Sequence, residues 1–223
     1  MKNKFENIIK QAASAHEEGR LADAEKAYLE ILDEKPDSGS VLNALGTVFL
    51  DQCQPEKARK YFEKAARLNP PFLSACYNLG RLKQMEGDDE GAIKIYRAIV
   101  KQEPRFGLAW NNLGVAYREI GEPEEAISCF RRAVAFAPEM AEAWNNLGVA
   151  QDEFQMIENA ARSYHKAIEI QPDYASAHFN LGVSLHKLKR FKAAEDHYNK
   201  VLEIKPGDEA AKFMLQSLGA STT

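Results

Sequence analysis

Asn78, Asn112, Asn146 and Asn180 recur at intervals of 34 residues; Asn111 and Asn145 double two of them, and Asn43 lies 35 residues before Asn78. A carboxamide carries two N–H donors and a carbonyl acceptor. A row of them can therefore satisfy both polar groups of a peptide backbone, whatever its side chains. Residues suited to harder chemistry lack the spacing that such chemistry needs. His16, His165, His178, His186 and His197 form no metal-ligand pattern with one another or with Cys53, Cys76 and Cys129. The cysteines are odd in number and far apart, with no Cys-x-x-Cys, and read as reduced, small apolar fillers. The acidic runs Asp88-Asp89-Glu90 and Glu122-Pro123-Glu124-Glu125 fall where helices should begin, and there they favour the helix dipole rather than forming a catalytic pair. No glycine-rich phosphate loop or nucleophile elbow occurs. The expectation is a protein that is not an enzyme, with no metal and no cofactor.

What must position the asparagines is a repeat. Pro36, Pro70, Pro104, Pro138, Pro172 and Pro206 are each 34 residues apart and, taken as position 32, frame units 5–38, 39–72, 73–106, 107–140, 141–174 and 175–208. Leu-Gly then fills positions 7 and 8 in five units, from Leu45-Gly46 to Leu181-Gly182; position 20 is always alanine and position 24 always Tyr or Phe. Apolar spacing over positions 1–14 predicts a first helix, and Gly19, Gly87 and Gly121 at position 15 mark its end. Pro55 and Pro123 at position 17 open a second helix, which the proline at position 32 stops. Glycine at 8 and alanine at 20 remove bulk where the two helices approach, and the aromatic at 24 fills the adjoining space. Asp208 should cap a last helix of about 209–218 that covers the final unit with Phe213, Leu215 and Leu218 and ends at Gly219.

The pattern W-x-x-L-G-x-x-Y, A-x-x-x-F, P, with Trp110 and Trp144 at position 4 and Tyr117 at position 11, resembles the tetratricopeptide repeat. That resemblance implies an all-α, right-handed α-solenoid superhelix of six helix-turn-helix repeats plus the C-terminal capping helix, one domain over residues 1–223. It also implies that position 4 faces the core. First helices would line a concave groove, exposing positions 2, 5, 6, 9, 12 and 13 of each unit. On this basis Asn78, Asn112, Asn146 and Asn180 at position 6, Asn43, Asn111 and Asn145 at position 5, and Tyr77, Arg81 and Arg118 are the expected peptide-binding residues. The row is similar to the asparagine ladder in the repeat domain of O-linked N-acetylglucosamine transferases, where it holds polypeptides. A structural role, hydrogen bonding to the neighbouring repeat and setting superhelical pitch, is the alternative. The carboxylate clamp that some members use on chaperone tails needs lysines that no triplet of repeats supplies here; Asn43, Thr47, Asn78, Leu108 and Asn112 stand at its positions in one of them.

Composition agrees with an interaction protein. The chain has 223 residues, 45% apolar and 28% charged, and a net charge of −4, which does not suggest the concentrated basic surface that nucleic acid requires. Charges within Met1–Lys10 break any signal-peptide core, and no apolar run could span a membrane, so a cytoplasmic location is expected. The reading is a scaffold that binds an extended segment of another protein or peptide in its groove, with no nucleic acid and no membrane as partner. Two alternatives stand beside it: a substrate-recruiting arm of a larger bacterial glycosyltransferase or methyltransferase, and a scaffold that self-associates through its end repeats.

Overall fold

The computed structural model describes residues 2–221, with side chains placed for 5–218, and among these residues it contains α-helices and no strand. The chain divides between Glu103 and Pro104 into two compact units. The first holds α1 (Lys2–Glu17), α2 (Leu21–Glu34), α3 (Gly39–Asp51), α4 (Pro55–Ala66), α5 (Leu73–Met85) and α6 (Asp89–Gln102). The second holds α7 (Gly107–Glu119), α8 (Pro123–Phe136), α9 (Ala141–Glu153), α10 (Ile157–Ile170), α11 (Ala175–Lys187), α12 (Phe191–Ile204) and α13 (Glu209–Ser221). Every 34-residue unit of the sequence is thus one helix pair, with bounds close to those its punctuation predicts.

Within each pair the second helix lies against a bare stretch of the first. A Cβ built on Gly46 would stand 2.4 Å from the Phe62 ring, and on Gly80, Gly114, Gly148 and Gly182 it would stand 2.5–2.7 Å from Tyr96, Phe130, Tyr164 and Tyr198. Those five rings are almost wholly buried, and all six position-20 alanines are fully so. Helix-interior glycine costs roughly 1 kcal/mol against alanine, and burying the ring that its missing side chain admits offsets that by about 1.5–3 kcal/mol.

Position 15 is left-handed in every repeat. Gly19, Gly87 and Gly121 have φ of 75°, 76° and 78°, and Cys53, Gln155 and Lys189 adopt 58°, 57° and 58° at the same place. The next amide then donates back to the carbonyl at position 11, as in Asp88 to Lys83 and Arg190 to Leu185, both 2.9 Å, which closes the helix end in a Schellman-type turn. Cys53 is therefore an exposed turn residue and not the apolar filler expected of it; the turn geometry outranks its side chain. Cys129 is buried and Cys76 partly so.

Position 4 ties down the loop before it. The indole N–H groups of Trp110 and Trp144 donate to the carbonyls of Pro104 and Pro138 at 2.8 Å, and His178 Nε2 does the same to Pro172 at 2.9 Å. At the C-terminal end Asp208 Oδ1 caps α13 by accepting from the Ala211 amide at 2.9 Å. Leu218 is buried and Leu215 packs beside it, but Phe213 points outward, and Met214 takes the place expected for it. Gly219 does not end the helix: α13 runs on to Ser221, since glycine weakens a helix without breaking it.

Two substitutions test this packing by chemical denaturation. Gly148→Ala forces a methyl group into the Tyr164 ring and is expected to destabilise by about 1–3 kcal/mol. Gln155→Gly relieves a left-handed side chain and is expected to stabilise by about 1 kcal/mol.

Candidate functional site

The asparagines fall on the first helices and pair across repeats with one register. In the first unit Asn78 on α5 donates through Nδ2 to Asn43 Oδ1 on α3 at 2.9 Å. In the second, Asn146 on α9 donates to Asn111 on α7 at 3.0 Å, and Asn180 on α11 donates to Asn145 on α9 at 3.1 Å. Each bond links position 6 of one repeat to position 5 of the repeat before it. Asn111 and Asn145 are 2% and 7% exposed, so burial withdraws both acceptors from the surface. The Asn111 amide also reaches Asn112 Oδ1 at 3.2 Å and Glu142 Oε1 at 3.4 Å. Asn43, Asn78, Asn112, Asn146 and Asn180 remain half-buried on the helix face.

Asn78, Asn146 and Asn180 each spend an N–H on position 5 of the preceding repeat, and among the described residues their Oδ1 atoms accept no hydrogen bond from another side chain or loop. Three acceptors are thereby fixed in direction by the repeat interfaces, one in the first unit and two in the second. Sequence reasoning placed these residues on the first helices but expected positions 5 and 6 alike to be exposed, whereas Asn111 and Asn145 are buried because each accepts the bond from the following repeat. The signal that separates them is the 35-residue step between position 5 and the next position 6.

The same register recurs two helical turns further on. His16 Nε2 meets Asp51 at 2.6 Å in the first unit, and Lys187 Nζ meets Asp152 at 2.7 Å in the second, each pair spanning position 12 of one repeat and position 13 of the next. Charges on this face are largely matched within it: Arg118 reaches its neighbour Glu119 at 3.1 Å. Arg81 is exposed, with no ion pair or hydrogen bond among the described residues. Tyr77 is half-buried, its ring 6.0 Å from that of Tyr96. Half-buried Val115, Val149 and Val183, all at position 9, and exposed Leu108 give the second unit's face an apolar component.

Among the described residues no three His, Cys, Asp or Glu groups gather to hold a metal ion, and no helix is long and apolar enough to cross a membrane. Two histidines form a pair: His178 and His197 approach through their Nδ1 atoms at 3.0 Å. His178 Nε2 already donates to a carbonyl, so a neutral His178 can only accept at Nδ1, from His197. Burial, and after it the neighbouring His178, lowers the His197 pKa.

The family model described as tetratricopeptide repeat matches residues 107–140 and 175–208, a second of the same description matches 39–72 and a third 75–105, and one described as TPR repeat matches 155–189. Three of these stretches begin and end on the frame that the prolines set. No curated protein sequence matches the chain. Among solved structures, it is similar to pilF of Pseudomonas aeruginosa, with TM-score 0.84 and 15% identity over 99% of this chain and 98% of that one. It is also similar to YrrB, a TPR protein with an unusual peptide-binding site, with TM-score 0.68 and 20% identity over 90% of this chain and 100% of that one. Likeness to the Cut9–Hcn1 hetero-tetramer of the APC/C has TM-score 0.79 and 18% identity; it covers 95% of this chain and 42% of that one. At these identities the likeness is one of fold.

The ladder makes its own prediction. In a double-mutant cycle, Asn145→Ala and Asn180→Ala are expected to destabilise by about 1 kcal/mol each and to show a coupling energy of roughly 0.5–1 kcal/mol. Strictly additive losses in denaturation midpoint would show that the two carboxamides do not meet.

Proposed function

Because the chain belongs to the tetratricopeptide repeat family, we propose that it is a protein-interaction scaffold whose first-helix face, the concave wall of the family's superhelix, holds an extended segment of another polypeptide. The observation that carries this reading is the common direction of the ladder bonds. Each leaves a position-6 carbonyl oxygen pointing away from its partner, ready to accept a backbone N–H. Asn78, Asn146 and Asn180 are the contacts this assigns, with Asn112 in the same row. Asn43, Asn111 and Asn145 act through them as positioning residues. Because backbone groups are the same in every sequence, such contacts hold a segment without specifying it. Selectivity then comes from the residues alongside: Tyr77 and Arg81 in the first unit, and Val115, Val149, Val183 and Arg118 in the second. Arg81, exposed and uncommitted, is suited to a carboxylate or a backbone carbonyl on the bound chain. The reading needs no catalytic group and no cofactor. YrrB, similar in fold, has a peptide-binding site, which supports peptide capture as the use of the face here.

The test is site-specific photo-crosslinking in cells. A benzophenone amino acid at Val149, on α9, is expected to give adducts with another polypeptide that are weakened when Asn180→Ala is added to the folded chain. The same probe at Lys166, exposed on the second helix α10, is expected to give none of those adducts. Adducts from position 166 alone, or equal adducts from both, would move the binding site off the first-helix face.

A further inference from the structure

Position 4 of the repeat determines what fills the gap between a first helix and the loop and second helix around it. In the second unit that residue is Trp110, Trp144 or His178, each bonded to the carbonyl of the proline six residues earlier. Over Trp110 and His178 the following second helix also supplies a cover. The Arg132 guanidinium, at position 26, lies 4.5 Å from the centre of the Trp110 ring, and His197, at position 23, packs on His178 with ring centres 5.2 Å apart. In the first unit the third repeat departs from this at both places: position 4 is Cys76, position 26 is Ala98 and position 23 is Ile95. Ring and cover are lost together.

What remains between α4, α5 and α6 is a cleft of about 230 Å³, whose walls include Leu73, Cys76, Leu79, Ile95, Ala98 and Ile99. No charged side chain lines it; the one polar side chain besides the thiol is that of Gln102. A dry apolar cavity of about 150 Å³ is enough to admit benzene, so this cleft has room for a larger ring. Pro71, in the loop before α5, also lines it.

We propose that the Cys76 cleft is a binding site for an indole ring supplied from outside the chain, taking in the third repeat the place that Trp110 and Trp144 occupy in the fourth and fifth. The two following repeats are the evidence for the occupant's chemistry. The same helix pair, built on the same glycine–aromatic contact, accepts an indole at this position when the sequence provides one. The leucine and isoleucine walls bury its faces. This inference is independent of the ladder face.

Alkylation of the wild-type thiols by iodoacetamide tests it directly. Cys53 is exposed and serves as the reference. Cys129 stays silent, because burial pushes its thiol up to about 12. Cys76, whose thiol burial also raises, reacts slowly, and free indole at about ten times its Kd should slow it roughly tenfold further by mass action while leaving Cys53 unchanged. A Cys76→Trp chain, its cleft filled from within, should no longer broaden the proton resonances of free indole. A second arm replaces indole by the peptide acetyl-Ala-Ala-Trp-Ala-Ala-amide. Protection at lower concentration than indole assigns the site to a tryptophan side chain of a partner polypeptide; equal or weaker protection assigns it to a free indole compound. If neither probe alters the ratio of Cys76 to Cys53 alkylation, the cleft does not bind indole and the proposal is overturned.

Discussion

An aromatic ring seated where a helix has no side chain sets the distance between the two helices of every repeat after the first. With ring carbons 2.4–2.7 Å from where a Cβ would stand on Gly46, Gly80, Gly114, Gly148 or Gly182, the pair can neither close further nor accept a methyl group in between. The fixed distance obliges the chain to reverse sharply at position 15, and all six repeats do so through a left-handed residue. Three use glycine, and three hold a larger residue in a conformation that disfavours side chains by about 1–2 kcal/mol. That these three persist shows which constraint dominates: the amide at position 16 and the ring at position 24 hold the turn, and the residue at position 15 conforms.

Once each pair is rigid, neighbouring pairs can meet in only one register. The register appears as the 35-residue step that joins Asn43 to Asn78, Asn111 to Asn146, Asn145 to Asn180 and, two turns along the helices, His16 to Asp51 and Asp152 to Lys187. The step explains why asparagine is doubled in the fifth repeat. The fifth repeat donates backward from position 6 and accepts forward at position 5, and Asn146 and Asn145 do these two things.

The helix pairs were legible in the sequence because proline, glycine and aromatic residues are punctuation, and six copies make punctuation unmistakable. The face that carries the asparagines was legible for the same reason, through helical periodicity. What the period concealed lies one residue off it. A reading framed on 34 aligns position 6 with position 6, whereas contact runs from 5 to 6, so buried Asn111 and Asn145 looked equivalent to their surface neighbours. The left-handed Cys53, Gln155 and Lys189 were hidden because a turn imposed by packing leaves no mark on a residue that tolerates it at modest cost. Phe213 was misplaced because a single capping helix has no second copy against which to check which face is covered.

Two roles for the asparagine row, setting repeat geometry and contacting a bound chain, are compatible in one carboxamide. The group has three hydrogen-bonding functions, and one N–H suffices for the bond to the preceding repeat. An exposed asparagine with no such bond would sample several rotamers, and ordering it on binding would cost conformational entropy. Bonded to a buried partner, its carbonyl is already aimed. The contact that would be weakest as an isolated surface amide thus becomes pre-organised by the interface that a purely structural account would credit with all of its purpose. The price of this arrangement falls on the acceptors, since Asn111 and Asn145 must be polar and buried; a buried carboxamide is tolerable only while it is hydrogen-bonded. Structure and the proposed binding are for that reason coupled along the row, and a change that frees one carboxamide disturbs both the repeat interface and the acceptor that the interface holds in place.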